Sequence, residues 1–120
     1  MANHSIAHVE FSAQNAQAAG AFYAEVFGWQ IEPIPEMNYV MFNAGDTGGG
    51  FPQTDGDMFN PGDVVVYVNT DDIDASLAKI ETAGGKTLVS KSEIPGMGWF
   101  AMFSDPTGNR VGLYTAMGEQ

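Results

Sequence analysis

The chain opens on strict alternation. Over residues 6–11, Ala7, Val9 and Phe11 fall on one side and Ile6, His8 and Glu10 on the other, which predicts a strand. The period then becomes helical. Asn15 or Ser12 is placed to cap a helix reaching about Phe27, with Ala19, Phe22, Tyr23, Val26 and Phe27 as one buried stripe. Gly28 is placed to end it in the left-handed conformation. Residues 29–32, 39–43 and 49–52 read as short extended pieces, with Pro33 and Pro35 imposing an edge position or a bend between the first two. Residues 58–63, with Asn60-Pro61-Gly62, read as a connector. A strong strand follows at 64–68. Thr70 or Asp71 is placed to cap a second helix with Ile73, Leu77 and Ile80 buried, and Gly84-Gly85 ends it. Three more strands are expected at 86–89, 99–103 and 110–115.

The order β-α-β-β-β therefore occurs twice. A shift of 57 residues places His8 on Val65, Phe22 on Lys79 and Gly28 on Gly85. The expected fold class is α+β: one domain of two βαβββ modules, about 5–57 and 62–116, forming an open, cup-shaped mixed sheet with helices outside. Alternation then lines the inward face with Ile6, His8, Glu10, Val65, Tyr67, Arg110, Gly112 and Tyr114. An aromatic cup with a few polar groups suits a small molecule.

Composition narrows the partners. Fifteen acids against four bases give a net charge of −11, a poor match for phosphate backbones or anionic lipid. Nucleic acid and membrane partners are not expected. The chain has no cysteine, which excludes disulfides, thiolate chemistry and Cys-based zinc sites. No apolar run reaches the roughly 20 residues of a spanning helix. The first residues lack the basic and apolar regions of a signal peptide, so a cytoplasmic location is expected.

Three motif readings fail on context. Gly48-Gly49-Gly50 lacks the Gly-Lys-Ser/Thr and the helix of a phosphate loop. Asp46-Thr47-Gly48 occurs once and in the wrong fold for an aspartic protease. Asp71-Asp72-Ile73-Asp74 is better explained as a helix start than as a calcium loop.

Four segments, "HVEF" at 8–11, "AFYAEVFGW" at 21–29, "VNTDDIDASLAKIETAGGK" at 68–86 and "GWFAMFSDPTGNRVGLY" at 98–114, together resemble the vicinal oxygen chelate superfamily, the glyoxalase and bleomycin-resistance fold. The resemblance covers nearly the whole chain. It implies a divalent ion held by His or Glu from the first and last strands of each module. His8 matches the first ligand position. Val65, Gly112 and a position near Gly48-Gly49-Gly50 match the others and offer no side-chain ligand. Three or four N or O donors are needed, so no metal and no other cofactor is expected.

The expected function is therefore a small-molecule binding protein or a metal-independent enzyme of this superfamily. The expected ligand residues are His8, Glu10, Tyr67, Trp99, Arg110, Gly112 and Tyr114. His8 serves either as a polar anchor or base, or as a neutral hydrogen-bonded group. Glu10 pairs with Arg110, or Arg110 clamps an anionic group of the ligand. Trp99 follows a Pro-Gly-rich loop and either covers the cup or staples that loop. Gly112 gives the ligand room. Similar single-domain members pair, so a homodimer is expected. Two rival readings are a metal-dependent lyase, isomerase or dioxygenase with unusual ligands, and a regulatory or partner-binding subunit.

Overall fold

A computed structural model describes residues 3–57, 59–60 and 62–118. Met58 and Pro61 of the expected connector lie outside the described residues. The elements follow the expected order: β1 (Ile6–Phe11), α1 (Ala16–Phe27), β2 (Gln30–Ile34), a 3-10 turn at Pro35–Met37, β3 (Tyr39–Asn43), β4 (Gly48–Pro52), β5 (Val64–Asn69), α2 (Ile73–Thr82), β6 (Lys86–Ile94), β7 (Gly98–Ser104) and β8 (Arg110–Ala116). This is the α+β, twice-repeated βαβββ order read from the sequence. Among the described residues, no helix is long and apolar enough to cross a membrane.

Two compact units form, residues 8–65 and residues 66–118 with 3–7. The N-terminal segment goes with the second unit because its backbone is tied there. The His4 amide donates to the Asn69 carbonyl (2.6 Å), the Asn69 amide donates to the Ser5 carbonyl (2.7 Å), and the Asp71 amide donates to Asn3 Oδ1 (3.1 Å).

In the first unit the strand order is β2-β3-β4-β1, with β2–β3 and β3–β4 antiparallel and β4–β1 parallel. Proline-bearing β2 is the edge, as expected of a strand that lacks ladder donors. The α1 boundaries are set by their caps. Asn15 accepts a hydrogen bond from the Ala18 amide (2.9 Å), and Gly28 sits at φ 75° with its amide bonded to the Ala24 carbonyl. Helix α1 covers one face of this sheet. Ala16, Val40, Phe42 and Phe51 are buried there, with Phe11, Ala19, Tyr23, Trp29 and Ile31 packed around them. The rings stack closely: Trp29 on Phe42 at 4.7 Å, Tyr23 on Trp29 at 5.0 Å and Tyr23 on Phe51 at 5.6 Å.

The expected buried stripe of α1 holds only in part. Tyr23 and Ala19 pack on the core, but Phe22, Val26 and Phe27 are 57%, 53% and 62% exposed. Ala16 and Gly20 face the sheet instead. A Cβ on Gly20 would come within 2.9 Å of Ile31 Cγ2, so the helix approaches the sheet along its small residues. That rotation leaves the larger residues outside.

The second unit repeats the order, β5-β8-β7-β6, with β5–β8 parallel and the rest antiparallel. Helix α2 is capped by Asp72, one residue beyond the expected position, through the Ala75 amide (3.0 Å). Ile73 and Leu77 are buried with Ala101 and Leu113, and Ile80, Val68, Trp99 and Phe103 pack against them. Strand β6 runs to Ile94, longer than expected, with register shifts that bend it along β7.

The turn before β8 is built on one carboxylate. Asp105 Oδ1 accepts from the Thr107 amide (2.9 Å), the Thr107 hydroxyl (2.8 Å) and the Asn109 amide (2.9 Å), while Oδ2 accepts from Asn109 Nδ2 (3.0 Å). The Asn109 side chain and amide, then Thr107, push its pKa from 3.8 down to about 2. A depressed folded-state value means the stabilisation is present above the ordinary carboxylate value and is lost as pH falls through about 2. Asp105→Ala is therefore expected to lower the melting temperature at pH 7. Melts repeated at falling pH should show the gap to wild type closing towards pH 2. A gap that persists unchanged there would mean the loop is not held by the ionised group.

Candidate functional site

The helix-free face of the first unit carries a polar chain of three side chains. Alternation along β1 sends Phe11 to the α1 side and therefore His8 and Glu10 to the other. Tyr39, at the start of β3, completes the chain. Its hydroxyl donates to Glu10 Oε2 at 2.7 Å and lies 2.8 Å from His8 Nε2. The carboxylate can only accept, so the one phenolic proton is committed to Glu10. His8 Nε2 must then be the protonated nitrogen, donating to the phenolic oxygen. The order is His8 N–H to Tyr39 O–H to Glu10 carboxylate. The His8 and Tyr39 rings are nearly parallel, with centroids 6.4 Å apart.

Burial lowers the His8 pKa, even with Glu10 Oε2 only 3.9 Å from Nε2. The neutral ring is thus the folded state's ring. Because the folded value lies below the unfolded one, this group's stabilisation is present above the ordinary histidine range and is lost as pH falls through its lowered value.

What makes space for Tyr39 is a glycine. Glu10 pairs with Gly50 in the parallel β1–β4 ladder, and Gly50 is a diagonal neighbour of Tyr39 across β3–β4. A Cβ on Gly50 would lie 1.9 Å from the Tyr39 hydroxyl. The neighbouring Gly49 has a different reason, since a Cβ there would meet the Val9 carbonyl oxygen at 1.9 Å and the Phe42 ring at 2.4 Å. The triplet at 48–50 is a packing device on two faces.

The second unit repeats this arrangement. Tyr67 pairs with Gly112 in the parallel β5–β8 ladder, and Tyr67 stands 57 residues after Glu10. Both modules thus place a glycine on the last strand opposite the same first-strand position. A Cβ on Gly112 would lie 2.3 Å from Tyr67 Cδ2. The space expected to be open for a ligand at Gly112 is filled by this buried ring, which corrects that expectation.

The other expected residues separate. Tyr114 pairs with Phe100 on β7 and donates its hydroxyl to the Met97 carbonyl at 3.0 Å, which ties down the 94–98 turn. Trp99 belongs to the α2 side. It packs against the cluster of Ile73, Leu77, Ala101 and Leu113, with Lys91 Nζ 5.4 Å from its ring centroid. It stands on the α2 side, not on the helix-free face with Gly112. Parity within β7 sets it there, two residues from buried Ala101. Arg110 starts β8 and is half-buried.

Tyr39 was not among the residues expected at the site. Nothing in the run Tyr-Val-Met-Phe-Asn marks it. The only sequence signal was the glycine on the facing strand, and reading it needed the strand register. Among the described residues, no three His, Asp or Glu side chains converge.

Comparison with known proteins agrees with this architecture. The family model of the Glyoxalase/Bleomycin resistance protein/Dioxygenase superfamily matches residues 5–113. A protein of Mycobacterium tuberculosis (strain CDC 1551 / Oshkosh), named "Putative glyoxylase CFP32", is 36% identical over 91 residues, 73% of this chain and 35% of its own length. "Anthracycline biosynthesis protein DnrV" of Streptomyces peucetius is 28% identical over 116 residues, 82% of this chain and 42% of its own length. The chain thus spans well under half of these curated relatives. A solved structure titled methylmalonyl-CoA epimerase in complex with methylmalonyl-CoA and NH4+ superposes with a TM-score of 0.74 at 17% identity, covering 99% of both chains, and shares the fold.

Proposed function

The chain belongs to the glyoxalase/bleomycin resistance protein/dioxygenase superfamily, and from that membership we propose that it holds a small molecule on the helix-free face of its first module without a protein-bound metal ion, as a binding protein or a metal-independent enzyme. The observation that carries this reading is the pair of glycines. Gly50 and Gly112 stand on the strands where the family resemblance places ion ligands, and a tyrosine occupies each vacated space. His8 and Glu10 are the two donors left on β1, and both are engaged by one phenol. Two engaged donors do not fit a divalent ion that needs three or four.

The three-residue chain has its own chemistry. A neutral imidazole, a phenol and a carboxylate in series hold one negative charge at Glu10 and can pass a proton stepwise between ligand and carboxylate. The ligand we favour is cationic and aromatic. Residues 8–65 contain eight Asp or Glu and no Lys or Arg, and a relative in Streptomyces peucetius carries an anthracycline-biosynthesis name. The protein acts in the cytoplasm as a homodimer in this reading.

The test uses protein purified without chelator or affinity metal. Metal analysis is expected to give substoichiometric transition metal, and an amine-bearing anthracycline is expected to bind in a fluorescence titration. Tyr39→Phe, which removes one hydrogen bond to a charged group, is expected to weaken that binding by about tenfold or more. Stoichiometric nickel, zinc, manganese or iron would overturn the metal-free reading. Equal affinity in wild type and Tyr39→Phe would remove the three-residue chain from the site.

A further inference from the structure

The first unit has a cleft of about 320 Å³ at one end of its sheet, where β1, β2 and β4 finish, β3 begins and α1 starts. That volume is at the small end of the roughly 300–1,000 Å³ of small-ligand sites. Its walls are braced by the fold. Asn15 caps α1 through the Ala18 amide (2.9 Å). The loop after β1 is tied to the end of β4: the Ala13 amide donates to the Pro52 carbonyl (2.9 Å), and Gln53 Nε2 donates to the Gln14 carbonyl. On the remaining side Pro33 and Pro35 fix their own φ, and the 3-10 turn closes with the Asn38 amide on the Pro35 carbonyl (3.1 Å). A cleft held in this way is formed before any guest arrives, which lowers the cost of binding.

Its chemistry is that of side-chain amides. Gln14, Asn15, Gln17, Asn38 and Gln53 all line it, and Pro33, Pro35 and Tyr39 add rigid surface. None of the lining residues is acidic or basic, although residues 8–65 hold eight Asp or Glu. An ionic ligand would lose hydration there without meeting a counter-charge. Each carboxamide brings two N–H donors and a carbonyl acceptor. Asn15 Oδ1 and Gln53 Nε2 are already used on the backbone, which leaves Gln14, Gln17 and Asn38 as the groups for a guest. Hydroxyl groups, each a donor and an acceptor at once, match them. We propose that this cleft binds an uncharged, polyhydroxylated small molecule, a sugar or polyol. The site is separate from the one proposed above, since neither His8 nor Glu10 lines it. Tyr39 borders both, but its hydroxyl is engaged by Glu10.

Glucose, galactose, mannose and maltose are the probes, each titrated into the isotope-labelled full chain and followed by NMR. The side-chain NH2 signals of Gln14, Gln17 and Asn38 are expected to shift with at least one of them, with a dissociation constant on the order of 1 mM. Glucosamine and glucuronate, which put a charge on the same kind of ring, are expected to bind more weakly than the neutral sugars. Gln17→Ala and, separately, Asn38→Gly are expected to weaken binding by about threefold to tenfold, the loss of one hydrogen bond. Glycine is chosen at 38 because that residue sits at φ 49°, where alanine would add strain. Both residues are exposed, so each variant should melt close to wild type. No carboxamide shift with any of the neutral sugars would overturn the proposal. So would a preference for the charged ones, or undiminished binding by both variants.

Discussion

Gly112→Ala is expected to destabilise the chain by about 1–3 kcal/mol, the range for over-packing a filled interior. The added methyl would lie 2.3 Å from Cδ2, 2.4 Å from Cε2 and 2.8 Å from Cγ of Tyr67. Those atoms belong to the near side of a ring that is 7% exposed, so relief by a small rotation of a flexible chain end is not available. Either the ring leaves its rotamer or the parallel β5–β8 pair opens. A double-mutant cycle with Tyr67→Ala isolates the cause. Tyr67→Ala alone removes a large buried ring and lowers stability by itself, but it also clears the space at 112. The two changes together are expected to cost less than their sum, with a coupling of about 1–3 kcal/mol read from urea unfolding. A Gly112→Ala protein with unchanged unfolding would show that the ring does not hold this space. The consequence for function follows directly. A carboxylate cannot be restored at position 112 by substitution there alone, because Tyr67 must leave first.

Phe51→Ala is expected to cost about 3–5 kcal/mol, the largest effect of any single truncation considered. Phe51 is 0% exposed and sits where four rings meet, with centroids 5.2 Å from Phe42, 5.6 Å from Tyr23 and 6.3 Å from Phe11. Its neighbours are ring walls fixed by their own stacking, including Trp29 on Phe42 and Tyr23 on Trp29. They collapse poorly into the vacated volume, which sets the cost towards the top of the range. A small domain has only about 5–15 kcal/mol in total, so the loss should show as a large drop in urea midpoint. Phe51→Leu, which keeps most of the volume, is expected to recover much of it. If both variants melt with wild type, the aromatic cluster on the α1 side is not the core of this module.

Much of this fold was legible from local pattern. The order of elements, the caps at Asn15 and Gly28 and the paired modules all follow from spacing, because backbone hydrogen bonding and side-chain period act over a few residues. The same parity put His8 and Glu10 together on the face away from α1. It also separated Tyr67, Gly112 and Tyr114 from Leu113, and with the strand register it would have put Trp99 on the α2 side. The shift of 57 residues set Glu10 and Tyr67 in corresponding places before any register was known.

What occupies the space above a glycine is a different kind of fact. It depends on a ring from another position in the chain: Tyr39 over Gly50, and Tyr67 over Gly112. Those meetings are set by strand register and by the packing of whole side chains, which no local spacing encodes. The same holds for α1, whose apolar residues surround it so completely that its period could not say which side the sheet would take. Close approach along Gly20 and Ala16 decided that, and left Phe22, Val26 and Phe27 outside. The sequence by itself determined which residues share a face. Tertiary structure alone decided which of those faces are filled and by what, since volume can be excluded only by atoms brought together in space.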